Sequence, residues 1–143
     1  MKPIRQITIT AIILAVLVTV YSPLRAKNFV KPKAYMFGFS ASFNDSIVYF
    51  TDIQEVDSVW FMQKNDILAG RRNYSNQLRN YFAEKLKMPH RTCVVSFGKD
   101  RKDAEKKYLK LKKLYAEKNA GRYDIRYLSE NDFKFTTVAI DDE

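Results

Sequence analysis

The feature that most constrains the fold is a strict alternation of side chains between Tyr35 and Phe43. Its aromatic or apolar members are Tyr35, Phe37, Phe39, Ala41 and Phe43, and Met, Gly and Ser occupy the positions between them. A repeat of two residues is that of a β-strand with one buried face. Asn44 and Asp45 both tolerate positive φ, and residues 46–53 are rich in β-branched and aromatic side chains. We therefore predict a β-hairpin that turns at Asn44-Asp45.

The next part of the chain predicts a strand, a helix and a further strand. A third strand is expected near 56–62, followed by a loop that includes the turn-like residues 70–73. Ser75 is a suitable N-cap for a helix that runs to about Lys87, because Pro89 lies just beyond it. The buried face of this helix would consist of Leu78, Tyr81, Phe82 and Leu86. The continuous apolar run 92–97 predicts a central strand.

A second amphipathic helix is expected from the cap residue Asp100 to about Lys118, with Gly121 placed to end it. Its buried stripe would consist of Ala104, Tyr108, Leu111, Leu114 and Tyr115. Residues 122–128 then predict a strand with Tyr123, Ile125 and Tyr127 on one face. A last short strand is expected around Phe133, Phe135 and Val138.

These elements predict an α+β fold with one mixed sheet of four to six strands. The hairpin supplies antiparallel strands, and the strand–helix–strand unit 92–128 supplies two parallel ones. Two amphipathic helices are enough to cover one face of such a sheet. We expect residues 34–140 to form the single domain, 27–33 a linker, and 141–143 an acidic tail. Hydrophobic residues make up 46% of the 143-residue chain, which is enough to bury a core.

Residues 1–26 have the layout of a secretory signal. Lys2 and Arg5 precede an uncharged run at 7–20, and Pro23 and Ala26 lie where cleavage would occur. Fourteen helical residues span roughly 21 Å, less than the roughly 30 Å hydrocarbon core of a bilayer. This length favours a cleaved signal peptide, and a retained single-pass anchor is the alternative. Both place the domain outside the cytoplasmic membrane, either periplasmic, extracellular or membrane-anchored.

The chain is basic, with a formal net charge of +9. A form that begins at Lys27 keeps 22 basic and 16 acidic residues, a net charge of +6. At 100° per residue, Lys102, Lys106, Lys110 and Lys113 fall together opposite the buried stripe of the second helix. These lysines are either a solvated helix face or a contact surface for an anionic partner, such as an envelope protein, a wall polymer or lipid.

Residues that could perform catalysis are few. His90 and Cys93 are single, whereas a structural zinc site needs four ligands, so we predict no metal, no cofactor and no catalytic residue. Carboxylates occur in pairs at Asp52/Glu55 and Glu130/Asp132. Such pairs serve hydrolysis only when they face each other across a cleft. Nucleic acid binding is not expected, because the aromatic residues have core periodicity and export removes the chain from nucleic acid.

The stretch 93–105 reads CVVSFGKDRKDAE, and it is followed by a helix with Leu111 and Leu114 and by a strand at 123–127. This segment of about 35 residues resembles one half of a SPOR domain. That family comprises small α+β modules that bind septal peptidoglycan, so the resemblance implies a wall-binding role. The first half of the chain departs from the pattern, because its hairpin and the connection 54–74 do not repeat it. The chain as a whole resembles small exported proteins of bacterial envelopes.

From these features we expect a non-enzymatic envelope protein that binds or scaffolds a partner. The alternative is an exported hydrolase acting on an anionic cell-wall polymer or peptide. Self-association through an exposed edge of the hairpin is a third hypothesis, because a free strand edge can pair with another chain. The oligomeric state is left open by the sequence.

Overall fold

The computed structural model describes residues 28–63 and 65–140. Within them the strands are β1 Asn28–Ala41, β2 Ile47–Thr51, β3 Gln54–Met62, β4 Ile67–Leu68, β5 Thr92–Gly98 and β6 Asp124–Leu128. The helices are α1 Arg71–Glu84 and α2 Arg101–Lys113, and α2 continues as a π-helical segment, Leu114–Lys118. The predicted signal (1–26) and acidic tail (141–143) lie outside the described residues.

Strand β1 is the centre of the sheet. On one side it pairs antiparallel with β3 and β2, which lie end to end along it, and on the other side with β5. Strand β6 pairs parallel with β2, and β4 pairs antiparallel with β3. The pairing therefore confirms the predicted hairpin and the mixed sheet of an α+β fold. Between β2 and β3 the register with β1 shifts by one residue, and Asp52 and Ile53 lie at this break.

The predicted parallel relation between the strands of the 92–128 unit is also confirmed. Strand β5 is antiparallel to β1, β1 is antiparallel to β2, and β2 is parallel to β6. Strands β5 and β6 therefore run in the same direction, with β1 and β2 between them. The crossover through α2 passes over both of these strands.

The two helices pack on opposite faces of the sheet, which corrects the expectation that both cover one face. A Cβ atom added to Gly38 of β1 would lie 2.4 Å from Leu78 of α1. The ring of Phe37, the preceding residue, packs edge-on against Tyr108 of α2 at 5.1 Å between centroids. Adjacent strand residues point to opposite faces. Because β1 carries buried side chains on both faces, each face needs a helix to cover it.

The core therefore has two parts. On the α1 side the buried residues include Met36, Tyr49, Val95, Tyr74, Leu78, Phe82, Phe133 and Phe135. On the α2 side Phe37, Val48, Phe50 and Ala104 are buried, and the half-buried rings of Phe39, Tyr108 and Tyr115 pack around them. Strand β1 contributes to both parts, so it holds the domain together.

Strand β1 begins before the domain boundary that the sequence indicated. Residues 28–33 were expected to be linker, but they pair with β3, with Lys31 opposite Val59 and Lys33 opposite Asp57. Pro32 falls between these pairs, and Ser58 on the facing strand has a φ of 52°. Proline cannot donate to a ladder, so a strand that contains it resembles a linker in sequence.

Helix α1 begins at Arg71 rather than after Ser75. Its N-cap is Gly70, whose φ is 70°. Residues 71–73, which we expected to lie in a loop, belong to the first turn of the helix. The cause is tertiary, because this extra turn brings Tyr74 into the core, where its ring meets Phe135 and its hydroxyl accepts the Val138 N–H. Leu78 and Phe82 are buried as predicted.

Three further expectations are corrected. The run at 92–97 is an edge strand and not a central one, because within the described residues β5 pairs with β1 alone. Phe43 is fully exposed, because β1 ends at Ala41 and Phe43 belongs to the turn. Leu114 was assigned to the buried stripe of α2 but is 42% exposed, at the first residue of the π-helical segment.

The last predicted strand is absent from the described part of the chain. Residues 129–140 instead form an irregular segment, the C-terminal strap, which crosses the α1 side of the sheet. Phe133 and Phe135 are buried, as their periodicity suggested. No strand forms because side chains satisfy the strap's backbone groups: Gln54 bonds Phe133 and Phe135, and Gln77 bonds Thr136.

Candidate functional site

Helix α2 begins where the sequence predicted, and this start determines which side chains it presents to solvent. The carboxylate of Asp100 accepts the backbone N–H of Asp103 at 2.7 Å, a standard N-cap. Ala104 is then buried against the sheet, where the backbone of Gly98 approaches it closely. Tyr108 and Tyr115 extend the same stripe onto Phe37 and Phe50. The opposite side of α2 faces outward.

Lys102, Lys106, Lys110 and Lys113, which we call the lysine face, are all exposed on that outward side, as predicted. The structure brings the four together along about 17 Å of one helix. The ion pairs of this helix use other residues: Arg101 pairs with Glu105 at 3.1 Å, and Lys107 with Asp103 at 3.2 Å. Among the described residues, no carboxylate lies within ion-pair distance of the lysine face. None of the four lysines therefore has an ion-pair partner among those residues.

A leucine lies at the edge of the lysine face. Leu109 is 63% exposed, and at 100° per residue it falls about 40° from Lys113 around the helix. With Lys112, Lys113, Ala116 and Glu117 it lines a shallow depression of about 330 Å³. Sequence reasoning missed this residue. The helical repeat nevertheless places Leu109 away from the buried stripe, so its exposure could have been predicted.

A second depression, of about 420 Å³, gathers three of the four paired carboxylates that the sequence singled out. Asp52, Glu55 and Glu130 line it together with Ile53, Arg101 and Tyr108. The fourth, Asp132, does not line it, and accepts hydrogen bonds from the backbone and hydroxyl of Ser129. The break between β2 and β3 and the start of the C-terminal strap bring these acids together, which no local pattern in the sequence could indicate.

The acids of this carboxylate depression are engaged in structural contacts. Asp52 accepts the backbone N–H of Glu130 at 3.1 Å. Glu55 forms an ion pair with Lys33 at 2.6 Å and accepts a hydrogen bond from the Tyr35 hydroxyl. The hydrogen bond from Lys33 lowers the pKa of the Glu55 carboxyl below its ordinary value. A general acid requires a raised pKa, so Glu55 is not prepared for that role.

A third depression, of about 310 Å³, is aromatic and was not foreseen. Its lining residues are uncharged: Phe39, Ala41, Ser42, Phe43, Thr92, Tyr115 and Tyr123. They come from the end of β1, the hairpin turn, the start of β5, the π-helical segment and the residue before β6. No sequence signal could have predicted it, because it depends on Phe43 leaving the strand.

Cys93 and His90 do not form a reactive pair. The Cys93 thiol is half-buried and lies 3.6 Å from the Ser40 hydroxyl, and burial raises its pKa. Such a thiol is a poor nucleophile. His90 is exposed in the turn before β5. Within 28–63 and 65–140, no group of three or more His, Cys, Asp or Glu side chains could hold a metal ion.

Arg91 is a buried residue that no sequence pattern singled out. Its side chain is 2% exposed and its guanidinium bonds the Ser40 hydroxyl, the Asp45 carboxylate and the Ile47 carbonyl. The guanidinium carbon also lies 5.0 Å from the centroid of the Tyr49 ring. Arg91 thus attaches the β1–β2 turn to the segment before β5, which is a structural role.

Comparison with known proteins returned no match to this chain from any family model, any curated protein or any solved structure. In the described part of the chain, no helix has the length and apolar character needed to cross a membrane.

Proposed function

We propose that this chain is an exported envelope protein whose α+β domain binds or scaffolds a partner without catalysing a reaction. The observation that carries this proposal is the lysine face, where four exposed lysines stand together without an ion-pair partner in the described residues. An anionic partner would gain from each of them, because like charges on a rigid helix repel one another until an anion is bound. The apolar run at 7–20 supports export.

The partner in this proposal is an anionic component of the envelope. The resemblance of residues 93–127 to one half of a SPOR module supports a wall component, and the net positive charge supports any acidic surface. Fractionation and intact mass of the native protein are the measurements that locate it. A soluble species beginning near Lys27 is expected for a cleaved signal, and a full-length species in the membrane fraction for an anchor.

The test of the contact surface is charge reversal. A variant with Lys102, Lys106, Lys110 and Lys113 changed to Glu is expected to lose its envelope association in cells, measured by crosslinking and co-fractionation. The matched control reverses four exposed cations on and just beyond α1: Arg72, Arg79, Lys85 and Lys87. The two variants have the same net charge, so a difference between them reports the position of the lysines and not the total charge. If the first variant keeps every association, the lysine face is not the contact surface.

The alternative proposal is an exported hydrolase that acts on an anionic cell-wall polymer or peptide. It would use the carboxylate depression, where Asp52, Glu55 and Glu130 converge. Its support is weaker because Asp52 and Glu55 already serve structural contacts. Glu55→Gln and Glu130→Gln would abolish release of fragments from purified wall material if this alternative held. If the unaltered protein releases no fragments from wall material, the hydrolase alternative is wrong.

A further inference from the structure

The lysine face combines positive charge with an exposed apolar side chain, and this combination restricts the kind of partner it fits. A soluble polyanion would neutralise the lysines but leave Leu109, 63% exposed, in water. A partner with anionic groups above an apolar layer would satisfy both kinds of side chain. A lipid bilayer with anionic head groups has that structure.

The shape of the surface favours the same partner. The packed side of α2 faces β1 and β5, so the lysine face is the convex outward surface of one helix. A flat surface can meet all four lysines at once along about 17 Å of helix. The depression is lined by Lys112, Lys113 and Glu117 together with Leu109 and Ala116, so its apolar side chains lie beside two cations and one anion.

We infer that the lysine face docks the domain on an anionic lipid bilayer, with the four lysines at the head groups and Leu109 entering the interface. This inference rests on the proposed function, because it names the partner of that same surface. Each lysine near an anionic bilayer contributes about fivefold to the partition coefficient. The predicted apolar run at 7–20 can also bind lipid, so the test needs a reporter at residue 109 itself.

The experiment uses the full chain with Leu109→Trp and vesicles whose phosphatidylcholine carries brominated acyl chains, with or without phosphatidylglycerol. Trp60, the one tryptophan of the chain, lies on β3, so the unaltered protein supplies the baseline emission. We expect the emission added by Leu109→Trp to shift to the blue and to be quenched on anionic vesicles only. Adding Lys106→Ala should lower the apparent affinity for anionic vesicles, measured by this quenching, by about fivefold. Adding Lys85→Ala instead should leave that affinity unchanged.

Three outcomes would overturn the inference. The first is no quenching on anionic vesicles by a variant that circular dichroism shows to be folded. The second is equal quenching on neutral vesicles, which would indicate apolar partition without charge recognition. The third is binding to a soluble anionic polysaccharide with unchanged emission on vesicles, which would assign the lysines to a polymer. The proposed function would survive the first and third outcomes if charge reversal of the lysine face still abolished envelope association.

Discussion

Two glutamine side chains attach the C-terminal strap to the rest of the domain, and they differ chiefly in exposure. Gln54, which is 1% exposed, donates to the Phe133 carbonyl and accepts the Phe135 N–H, both at 2.8 Å. Gln77 makes the same two bonds to Thr136 at 2.9 Å, but at the surface. A side-chain amide thus replaces a neighbouring strand in satisfying the backbone of the strap.

We predict that Gln54→Leu lowers the free energy of unfolding by about 2–4 kcal/mol, because two buried backbone groups lose their partners. The matched change Gln77→Leu should cost less than about 1 kcal/mol, since water can reach Thr136. Urea denaturation of both variants measures the difference. Equal losses would show that burial does not distinguish the two amides.

Asp45 is the anionic partner of the buried Arg91 guanidinium, with 3.1 Å between Oδ2 and Nη1. The backbone N–H of Ile47, assisted by Arg91, holds the pKa of the Asp45 carboxyl below its ordinary value. A carboxyl with a lowered pKa in the folded state stabilises the fold above its unfolded pKa. That contribution is lost as the pH falls through the folded pKa. The side chain is 37% exposed, so solvent screening limits the effect.

We predict that Asp45→Asn flattens the dependence of unfolding free energy on pH below about pH 4, where the unfolded chain takes up a proton at Asp45 before the folded protein does. Denaturation midpoints measured from neutral pH down to about pH 2 provide the test. Asp57→Asn, which removes an exposed carboxylate from β3, is the control for loss of charge. An unchanged slope in Asp45→Asn would contradict the prediction.

At the scale of elements, cations from both helices contact the edge of β5 that has no strand partner among the described residues. Arg71 of α1 donates to the Val95 carbonyl at 3.0 Å, and Lys107 of α2 donates to the Phe97 carbonyl at 2.7 Å. Both cations also lie within 6 Å of the Phe97 ring centroid. Edge strands with free carbonyls recruit other chains, so these contacts protect the edge from pairing.

We predict that the double variant Arg71→Ala, Lys107→Ala self-associates through β5, because two edge carbonyls become available to another strand. Size-exclusion chromatography across a concentration series should show a larger species that the unaltered chain lacks. The neighbouring exposed pair Arg72→Ala, Lys106→Ala removes the same charge away from the edge and should elute as the unaltered chain does. Identical elution of both variants would refute this protection.

Element boundaries differ in how far local sequence decides them. Helix α2 was predictable at its start because Asp100 bonds a backbone N–H three residues away, an interaction contained in the sequence order. Helix α1 was not, because its extra first turn forms to pack Tyr74 against Phe135, 61 positions later. The same distinction holds for the lysine face, which follows from the helical repeat, and for the carboxylate depression, which follows from tertiary contacts alone.

At the scale of the whole molecule, the domain is closed by its C-terminal strap. Phe133 and Phe135 complete the core on the α1 side, where their rings pack on Tyr81 and Tyr74. Thr137 adds a hydrogen bond from its hydroxyl to the Asp57 carbonyl of β3. The strap therefore contributes to stability in proportion to the apolar surface that it buries, although it has no regular secondary structure.

We predict that Phe135→Ala destabilises the domain by about 3–5 kcal/mol, because it leaves a cavity between the strap and α1. Phe43→Ala, which removes a fully exposed ring from the hairpin turn, should change the free energy of unfolding by less than about 0.5 kcal/mol. Thermal and chemical denaturation of the two variants give the comparison. A small loss in Phe135→Ala would mean that the strap is not part of the cooperative core.

The patterns of residues 35–53, 75–87, 92–97 and 100–128 predicted a hairpin, two helices and a mixed sheet, because hydrogen bonding and burial along one element depend on neighbours in the chain. The placement of the helices on opposite faces depended on contacts such as those of Gly38 and Phe37 with different helices. The aromatic and carboxylate depressions arose in the same way. Packing between distant segments obeys shape and volume, which a linear pattern does not contain, so only the tertiary structure could decide these features.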